Sequence, residues 1–309
     1  MSSPQHPGTW RLGHLVGVDV LIKPSLLVMG AALVLLFAGR FDDRVDSNPY
    51  VLATAFVVAL YVSVLIHELA HVAVARRFRM RVRSVTLHLL GGETLIEGES
   101  RRPWQELAIS IAGPLSSLAI GLVCFAVEPA LSGTVADVVY SVAQVNILVA
   151  AFNMLPGLPL DGGRVFRAII WQATGREETG IRIAAWIGRL TAVAIVGFAL
   201  TRARDDRTFV IDILIAVLIG WFLWQGAGDA LRNASRTARV NLLNARLLAD
   251  TTVSAPAGTP HLSADLHGSE LLRAMASLPS EAYVLTETDG SVYGVLTARA
   301  VDDAYRASR

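Results

Sequence analysis

An apolar run from Tyr50 to Ala75 carries two histidines and a glutamate, and this combination constrains the fold more than any other feature. A membrane span needs about 20 mostly apolar residues, which this run supplies. Near its C-terminal end the sequence His-Glu-Leu-Ala-His places His67, Glu68 and His71. Ionisable groups inside a span are costly and by default mark a functional site. The run therefore predicts a transmembrane helix that carries chemistry.

The spacing of the two histidines suits a metal ion. On an α-helix, residues four apart lie one above the other, so His67 and His71 can bind one ion from a single face. Zinc accepts neutral imidazole and lowers the pKa of a bound water to about 7. The carboxylate of Glu68 can then take a proton from that water. The motif predicts one zinc ion per chain and metal-assisted hydrolysis of peptide bonds.

The composition favours a protein with several membrane spans. Of the 309 residues, 53% are hydrophobic and 17% are charged, whereas a soluble domain has about 25% charged residues. The net charge of +1 gives no indication of a nucleic-acid partner. Cys124 is the single cysteine, which excludes an intramolecular disulfide. Residues 1–20 lack the long apolar core of a cleavable signal peptide.

Apolar segments predict six transmembrane helices, and the first is expected to include Leu21 and Ile22. Arginines alternate between the connecting segments, with seven in residues 76–102, four in 164–182 and four in 232–246. Such residues are retained on the cytoplasmic side, which predicts an inner (plasma) membrane protein with both termini in the cytoplasm. The approximate spans are Pro24 to Gly39, Tyr50 to Ala75, Leu107 to Val127, Val135 to Leu155, Ile183 to Leu200 and Val210 to Gly228.

A short β-hairpin is predicted between the second and third spans. Residues 82–97 are rich in β-branched side chains and are interrupted by Gly91 and Gly92, which is typical of a strand, a turn and a second strand. An extended substrate could pair with an exposed edge of this hairpin. An ordinary cytoplasmic hairpin fits the pattern equally well. His88 lies in the hairpin and is left out of the metal site.

A break after the fourth span offers a third metal ligand. Between Asn153 and Arg164 the chain is rich in proline and glycine, so the helix is expected to open into a loop at membrane depth. Such a loop is tolerated only where protein or a water-filled cavity covers it. A catalytic zinc needs three protein ligands and one open position, and Asp161 supplies the third. The alternative is that Asp161 caps a helix beginning near Gly163.

Two asparagines of the fourth span have different expected roles. Asn153 offers an amide that could stabilise the oxyanion formed during hydrolysis. Its alternative role is to bond backbone carbonyls that Pro156 leaves free. Asn146 is predicted to join neighbouring helices by hydrogen bonding. In the third span, residues 112–114 (Ala-Gly-Pro) predict close helix packing and a kink.

Taken together, these motifs resemble the site-2 proteases of peptidase family M50, which are zinc-dependent intramembrane metalloproteases. The resemblance covers about residues 10–230. It rests on the His-Glu-Leu-Ala-His motif, on the Gly-Gly pair after a strand, on residues 112–114, and on residues 153–163. One departure concerns Ser116 and Ser117, where many members of the family carry Asn shortly after the Gly-Pro pair.

The resemblance also implies roles and a fold. It implies that His67, His71 and Asp161 bind zinc, that Glu68 is the catalytic base and that Asn153 assists substrate or oxyanion binding. The implied fold is an α-helical polytopic membrane protein with a small membrane-associated hairpin. The implied substrates are transmembrane proteins with a single span in the lipid bilayer, such as anti-sigma factors, already shortened by another protease. The resemblance thus implies a second cleavage that follows a first one, the process called regulated intramembrane proteolysis.

The C-terminal part predicts a small α/β cytoplasmic domain. We expect a transmembrane domain in residues 1–230, a polar helix and linker in 231–258, and the α/β domain in 259–309. The last resembles one cystathionine-β-synthase-like (CBS) module, which implies regulation and a homodimer, because a single module cannot bury its pairing face. The alternative is a truncated or vestigial regulatory domain. Such modules often bind adenine nucleotides. The motif Gly294 to Thr297 matches, but Ala300 stands where the family places Asp.

Two other classes of function remain open on the sequence alone. A transporter for zinc or another small ion could use His67, His71 and Asp161 as a path, but it would have little need for Glu68. A catalytically silent membrane scaffold would need neither the metal nor the carboxylate. Water activation explains Glu68 and the open zinc position together, so hydrolysis is the favoured interpretation.

Overall fold

The computed structural model describes residues 8–41, 48–88, 91–97, 100, 102–202, 209–253, 256 and 258–307. The chain divides into two compact units, Met1–Gly228 and Asp229–Arg309. The elements that begin in the first unit are β1 (Trp10–Leu15), β2 (Val18–Ile22), α1 (Pro24–Phe41), α2 (Pro49–Arg77), β3 (Arg81–His88), β4 (Gly91–Glu97), α3 (Pro103–Val127), a 3-10 turn (Glu128–Ala130), α4 (Gly133–Asn153), α5 (Asp161–Thr174), α6 (Glu177–Thr201) and α7 (Phe209–Asn241). Those of the second unit are α8 (Ala245–Leu248), β5 (His261–Ser263), α9 (Gly268–Ser277), β6 (Ala282–Thr286), β7 (Val292–Thr297) and α10 (Ala298–Ala307).

Five described helices, α2, α3, α4, α6 and α7, are long and apolar enough to cross a bilayer. Helix α1 is apolar but shorter, so a sixth span remains a prediction. The expectation that Leu21 and Ile22 extend this helix is wrong. Both residues belong to β2, where they pair with β1 and β3. The sheet satisfies their backbone groups, and Pro24 then begins the helix, a position where its missing N–H costs nothing.

A four-stranded sheet packs against the second helix. The strand order is β1-β2-β3-β4, with β2 and β3 parallel and the other pairs antiparallel. Helices α1 and α2 form the connection between the parallel strands. Val18 and Val85 from the sheet share a buried cluster with Val72 of α2. The sheet therefore covers the part of α2 that carries the His-Glu-Leu-Ala-His motif.

The predicted pairing of two strands after the second span is confirmed, but the expected turn is wrong. Gly91 and Gly92 are the first residues of β4 and pair with His88 and Leu87 of β3. Residues 89 and 90, between the strands, lie outside the described part of the chain. Among the described residues β4 pairs with β3 alone, so its other side is a sheet edge. Gly92 lets β4 lie close to Glu68, as described below. A sequence pattern alone cannot distinguish glycines in such a contact from glycines in a turn.

Both ends of α2 are fixed by local interactions. The side chain of Asn48 accepts a hydrogen bond from the backbone N–H of Tyr50 at 3.0 Å, and Pro49 occupies the first helical turn. Such capping satisfies a donor that the helix leaves free. At the other end, Arg76 donates to the backbone oxygen of Val16 in the β1–β2 turn. The helix that carries the motif is thereby anchored to the sheet.

The predicted break after the fourth span is present, and protein covers it. Helix α4 ends at Asn153 and α5 begins at Asp161. The backbone N–H of Leu158 donates to the oxygen of Ala184 in α6 at 3.1 Å. A side chain at Gly188 would overlap the oxygen of Leu158, so α6 approaches the loop at backbone distance. This agrees with the requirement that irregular backbone at membrane depth be shielded.

The second unit has a three-stranded sheet in the order β5-β6-β7. Its predicted helices, strands and turn at residues 268–306 are confirmed by α9, β6, Gly290 at φ 84°, β7 and α10. The polar helix expected at the start of residues 231–258 is present in part, because α7 continues to Asn241 and a break then precedes α8. Leu243, in the break, is 2% exposed within the core of this unit. The burial of Leu243 in this core accounts for the break between α7 and α8. The expected linker lies partly outside the described residues.

Candidate metal centre

Three predicted ligands converge at one point. Nε2 of His67 lies 3.0 Å from Oδ2 of Asp161, and Nε2 of His71 lies 3.3 Å from the same oxygen. His67 and His71 are 5% and 3% exposed. Among the described residues, this is the one grouping of three or more His, Cys, Asp or Glu side chains whose ligand atoms lie within 4.8 Å of one another. Helices α2 and α5, distant in sequence, thus meet through their polar side chains.

The donor set fits a zinc ion. Zinc takes imidazole nitrogen at about 2.0–2.1 Å and carboxylate oxygen at about 2.0–2.2 Å, and three such ligands leave one position open. Asp161 is the first residue of α5, whose N-cap is Leu160, and no side-chain capping bond is made there. The alternative role of Asp161 as a helix cap is therefore wrong. Its carboxylate faces the two histidines instead.

The outer nitrogens of both histidines are held by neighbours on α3. Nδ1 of His71 lies 2.7 Å from the backbone oxygen of Ile109. A carbonyl can only accept, so this nitrogen carries the proton and Nε2 presents its lone pair to the metal position. Nδ1 of His67 lies 3.0 Å from Oγ of Ser117, which is 1% exposed. These contacts orient both rings toward Asp161.

Sequence reasoning missed the role of Ser117. It treated the serine only as a departure from the family pattern. Ser116, its neighbour, bonds instead to the oxygen of Gly113 on its own helix at 2.7 Å. Which of the two serines faces α2 depends on the rotation of α3 within the bundle. The sequence shows two adjacent serines but cannot indicate which of them contacts His67.

Gly113 lies against the two predicted histidine ligands as well. A Cβ added there would overlap Nε2 of both His67 and His71. The sequence predicted close helix packing at this residue. The structure shows that α3 packs here against the imidazole rings of α2. Pro114 follows and has no N–H for the helix ladder, which weakens α3 at this turn. The Gly-Pro pair therefore makes room for the site.

Glu68 lies beneath the edge strand. Its side chain is 8% exposed, and its Oε2 accepts a hydrogen bond from Oγ1 of Thr94 at 2.6 Å. A Cβ added at Gly92 would overlap Cγ of Glu68. Strand β4 therefore passes directly over the carboxylate, at a distance that only glycine permits. Thr94 was not singled out from the sequence.

A cavity of about 590 Å³ opens onto these groups. His67, Glu68, Asp161 and Asn153 line it. Its apolar wall comes from α4 and α7 and includes Leu148, Val149, Phe152, Leu218, Ile219 and Phe222. The size suits a short stretch of peptide, and the apolar wall suits side chains from a membrane span.

Asn153 lines that cavity while bonded to its own helix. Its Nδ2 donates to the oxygen of Val149 at 3.0 Å. Val149 lies one helical turn earlier, and its carbonyl is not the one that Pro156 leaves without a partner. The alternative role predicted for Asn153 is therefore not the one observed. An amide has two N–H donors, and one bond leaves a second for a ligand. Asn146 donates to Oγ of Ser63 in α2 at 3.1 Å, which confirms its interhelical role.

Electrostatics keep the carboxyl group of Asp161 in its ionised form, the form that can bind a metal. Burial would raise the pKa of Asp161, but the two neighbouring imidazoles of His67 and His71 outweigh it and hold that pKa below its ordinary range. His88 does not belong to the described ligand grouping. Burial and the neighbouring charge of Lys23 lower the pKa of His88. His88 is a residue of β3 outside the candidate metal centre.

A buried ion cluster fixes the start of α5. Glu106, 3% exposed at the first turn of α3, accepts from Oγ of Ser100 at 2.7 Å. Nε of Arg164 lies 3.0 Å and a terminal nitrogen of Arg167 lies 2.5 Å from the same carboxylate. Arg164 is three residues after Asp161, on the same helix. Sequence reasoning did not find this cluster, because a Glu near a helix start is ordinarily a solvated charge.

Comparisons with known proteins agree with this picture. The sequence profile of peptidase family M50 matches residues 55–134 and 128–195. A Synechocystis protein, sll0528, named as a candidate zinc metalloprotease, is 33% identical over 93% of this chain and 75% of its own length. Rip3 of Mycobacterium tuberculosis, similarly named, is 32% identical over 96% of this chain and 76% of its own length. The solved site-2 protease from Methanocaldococcus jannaschii has a TM-score of 0.53 and 25% identity, covering 72% of this chain and 95% of that one.

The fold and the site define a multi-pass membrane protein with a zinc-binding centre set among its helices. The chain belongs to peptidase family M50, the site-2 proteases. It is therefore a metalloprotease of the site-2 type, and zinc is its metal. The family also implies a membrane-protein substrate and a lipid environment.

Proposed function

We propose that this protein is an intramembrane endopeptidase that hydrolyses peptide bonds in or near the transmembrane segments of single-span membrane proteins. One observation carries the proposal: His67, His71 and Asp161 converge beside Glu68 at a cavity with an apolar wall. A zinc protease needs this arrangement, in which three ligands leave one position open and a carboxylate lies next to it. Anti-sigma factors already shortened by another protease are the substrate class that the family suggests.

His67, His71 and Asp161 hold the metal in this proposal. When bound, zinc supplies a Lewis acid and brings the pKa of a coordinated water near 7. Glu68 is the general base that takes the proton from the attacking water, and it returns that proton to the amine that leaves. Thr94 holds one oxygen of Glu68 and so fixes which oxygen receives the proton. The free N–H of Asn153 donates to the oxyanion.

Strand β4 is the proposed docking edge for the substrate. An extended peptide that adds to the free side of β4 would run past Gly92 and Thr94, the two residues that contact Glu68. Backbone pairing of this kind recognises any sequence that can unwind, and side-chain pockets then add selectivity. A substrate helix must open before it can pair, which restricts cleavage to segments of weak helix propensity.

The topology and the second unit complete the proposal. In this proposal both termini and the metal site lie toward the cytoplasmic face of an inner membrane, which the arginine-rich connections support. The second unit, as a CBS-like module, regulates access to the site and pairs with a second copy. Adenine nucleotide has weak support there, because Ala300 stands where the family places Asp.

The test compares wild type with Glu68→Gln at matched zinc content, using a tagged single-span substrate. We expect cleavage to fall by at least about 100-fold, since general-base catalysis contributes roughly 10²–10⁴. Glu178→Gln, the same exchange at an exposed position of α6 paired with Arg182, is the control and should cleave at a rate close to that of wild type. Equal cleavage by Glu68→Gln and wild type would contradict the proposal. Zinc flux that survives Glu68→Gln without any cleavage would favour a transporter.

A further inference from the structure

Arg189 is a charged residue within a membrane helix, and the metal site does not use it. It lies in α6, one of the five helices able to cross a bilayer. Its guanidinium carbon is 4.9 Å from the ring centroid of Trp186 and also 4.9 Å from that of Trp224 on α7. Its Nε is buried without a hydrogen-bond partner. No carboxylate of the described residues lies within ion-pair distance of it.

The depth of this residue places it near the edge of the hydrocarbon layer. Arg189 follows Ile183, where the apolar part of α6 begins, by about 9 Å of helix rise. Trp224 precedes Gly228, where the apolar part of α7 ends, by about 6 Å. A long Arg side chain can extend its charged end toward the headgroups from such a depth. Tryptophan is also enriched at this level of a bilayer.

The surface around the guanidinium is open and apolar. Trp186 is 56% exposed and Trp224 is 45% exposed. Leu190 and Val193 lie four and seven residues after Trp186, on the same face of α6, and are 66% and 59% exposed. A cation at an apolar membrane surface is expensive unless an anion neutralises it. The two rings lower this cost but carry no negative charge.

We propose that Arg189, Trp186 and Trp224 bind the phosphate of an anionic phospholipid. The guanidinium donates to the phosphate oxygens while the two indole rings hold it in place, and an acyl chain lies along Leu190 and Val193. A lipid meets both requirements of this surface, the negative charge and the apolar contact. Free phosphate meets the first alone. A substrate carboxylate is disfavoured, because Arg189 is not among the residues that line the cavity at the metal site.

The test measures lipid retention by the purified full-length chain in a neutral detergent, by native mass spectrometry. Wild type should retain phosphatidylglycerol about fivefold better than phosphatidylcholine, the effect of one Arg near an anionic surface. Arg189→Gln should lose this preference. Arg182→Gln removes an exposed Arg of the same helix, paired with Glu178, and should keep it. A preference that persists in Arg189→Gln, or that falls equally in Arg182→Gln, would overturn the proposal.

A second variant serves if Arg189→Gln does not fold. Trp224→Leu leaves the charge and removes one ring, and it should lower the preference about twofold. An unchanged preference in that variant would refute the site. Millimolar inorganic phosphate should not displace the lipid, and full displacement would show that the site binds phosphate alone. If Arg189→Gln raises KM for a test substrate with lipid preference intact, Arg189 binds the substrate and the proposal is wrong.

Discussion

At the scale of single residues, the site depends on the predicted metal ligands and equally on the residues that hydrogen-bond and orient them. His67 and His71 could be identified from their spacing, because a helix places residues four apart on one face. Ser117 could not, since its contact with His67 depends on how α3 is rotated against α2. Asp161 was predicted because the two-histidine motif lacks a third ligand and the break after the fourth span offers a carboxylate. Sequence thus identifies donors more readily than their supports.

Ser117→Ala should weaken zinc binding. The substitution removes the partner of Nδ1 of His67 and frees the ring to rotate away from the metal position. Loss of such an outer contact typically lowers metal affinity about 10-fold or more. Competition with a chromophoric chelator would measure it. Ser116→Ala is the matched control, because that hydroxyl bonds only within its own helix, and equal affinities of the two variants would contradict this role.

Gly113→Ala should abolish zinc retention. The added methyl would overlap Nε2 of both histidines, so the rings or α3 must move. We expect the purified variant to hold less than about a tenth of the wild-type zinc. Gly197→Ala in α6 meets nothing within 4 Å and serves as the control. Elemental analysis measures the zinc content of both variants. Full zinc occupancy in Gly113→Ala would show that α3 does not lie as close to the two histidines as described.

At the scale of helices and strands, the predicted spans and the strand pairing were accessible because apolar length and β-branched runs reflect local physics. The strands β1 and β2 were not predicted, since Gly13 and Gly17 give their stretch a loop-like composition. Their formation depends on β3, some 60 residues later, and on the apolar surface of α2. Register of this kind is a tertiary property, which explains why Gly91 and Gly92 were assigned to a turn.

The ion cluster at Glu106 should stabilise the junction of α3 and α5. Glu106→Gln leaves Arg164 and Arg167 without their buried counter-charge. Breaking a buried pair from one side costs about 3 kcal/mol. Thermal unfolding in detergent should therefore shift to clearly lower temperature, and zinc affinity should fall because α5 carries Asp161. Glu178→Gln, whose pair with Arg182 is exposed, should change stability by less than about 1 kcal/mol.

At the scale of the whole molecule, the chain divides into two compact units, and the first contains the candidate metal centre. We expect removal of residues 250–309 to convert a dimer in detergent to a monomer, measured by light scattering, and to change the rate of substrate cleavage. The expectation rests on the proposal that the second unit is a CBS-like module, whose pairing face a second copy of the chain would cover. If both oligomeric state and activity stayed unchanged, the regulatory role of the second unit would be abandoned.

The most direct test of the whole account is the zinc content of Asp161→Ala, with Asp289→Ala in an exposed turn of the second unit as control. We predict one zinc per chain in wild type and in the control, and a loss of at least about 10-fold in zinc affinity in Asp161→Ala, together with loss of cleavage. The prediction follows from the meeting of α2 and α5 at a single carboxylate oxygen. Full zinc content in Asp161→Ala would contradict the account, because the third ligand would then lie elsewhere.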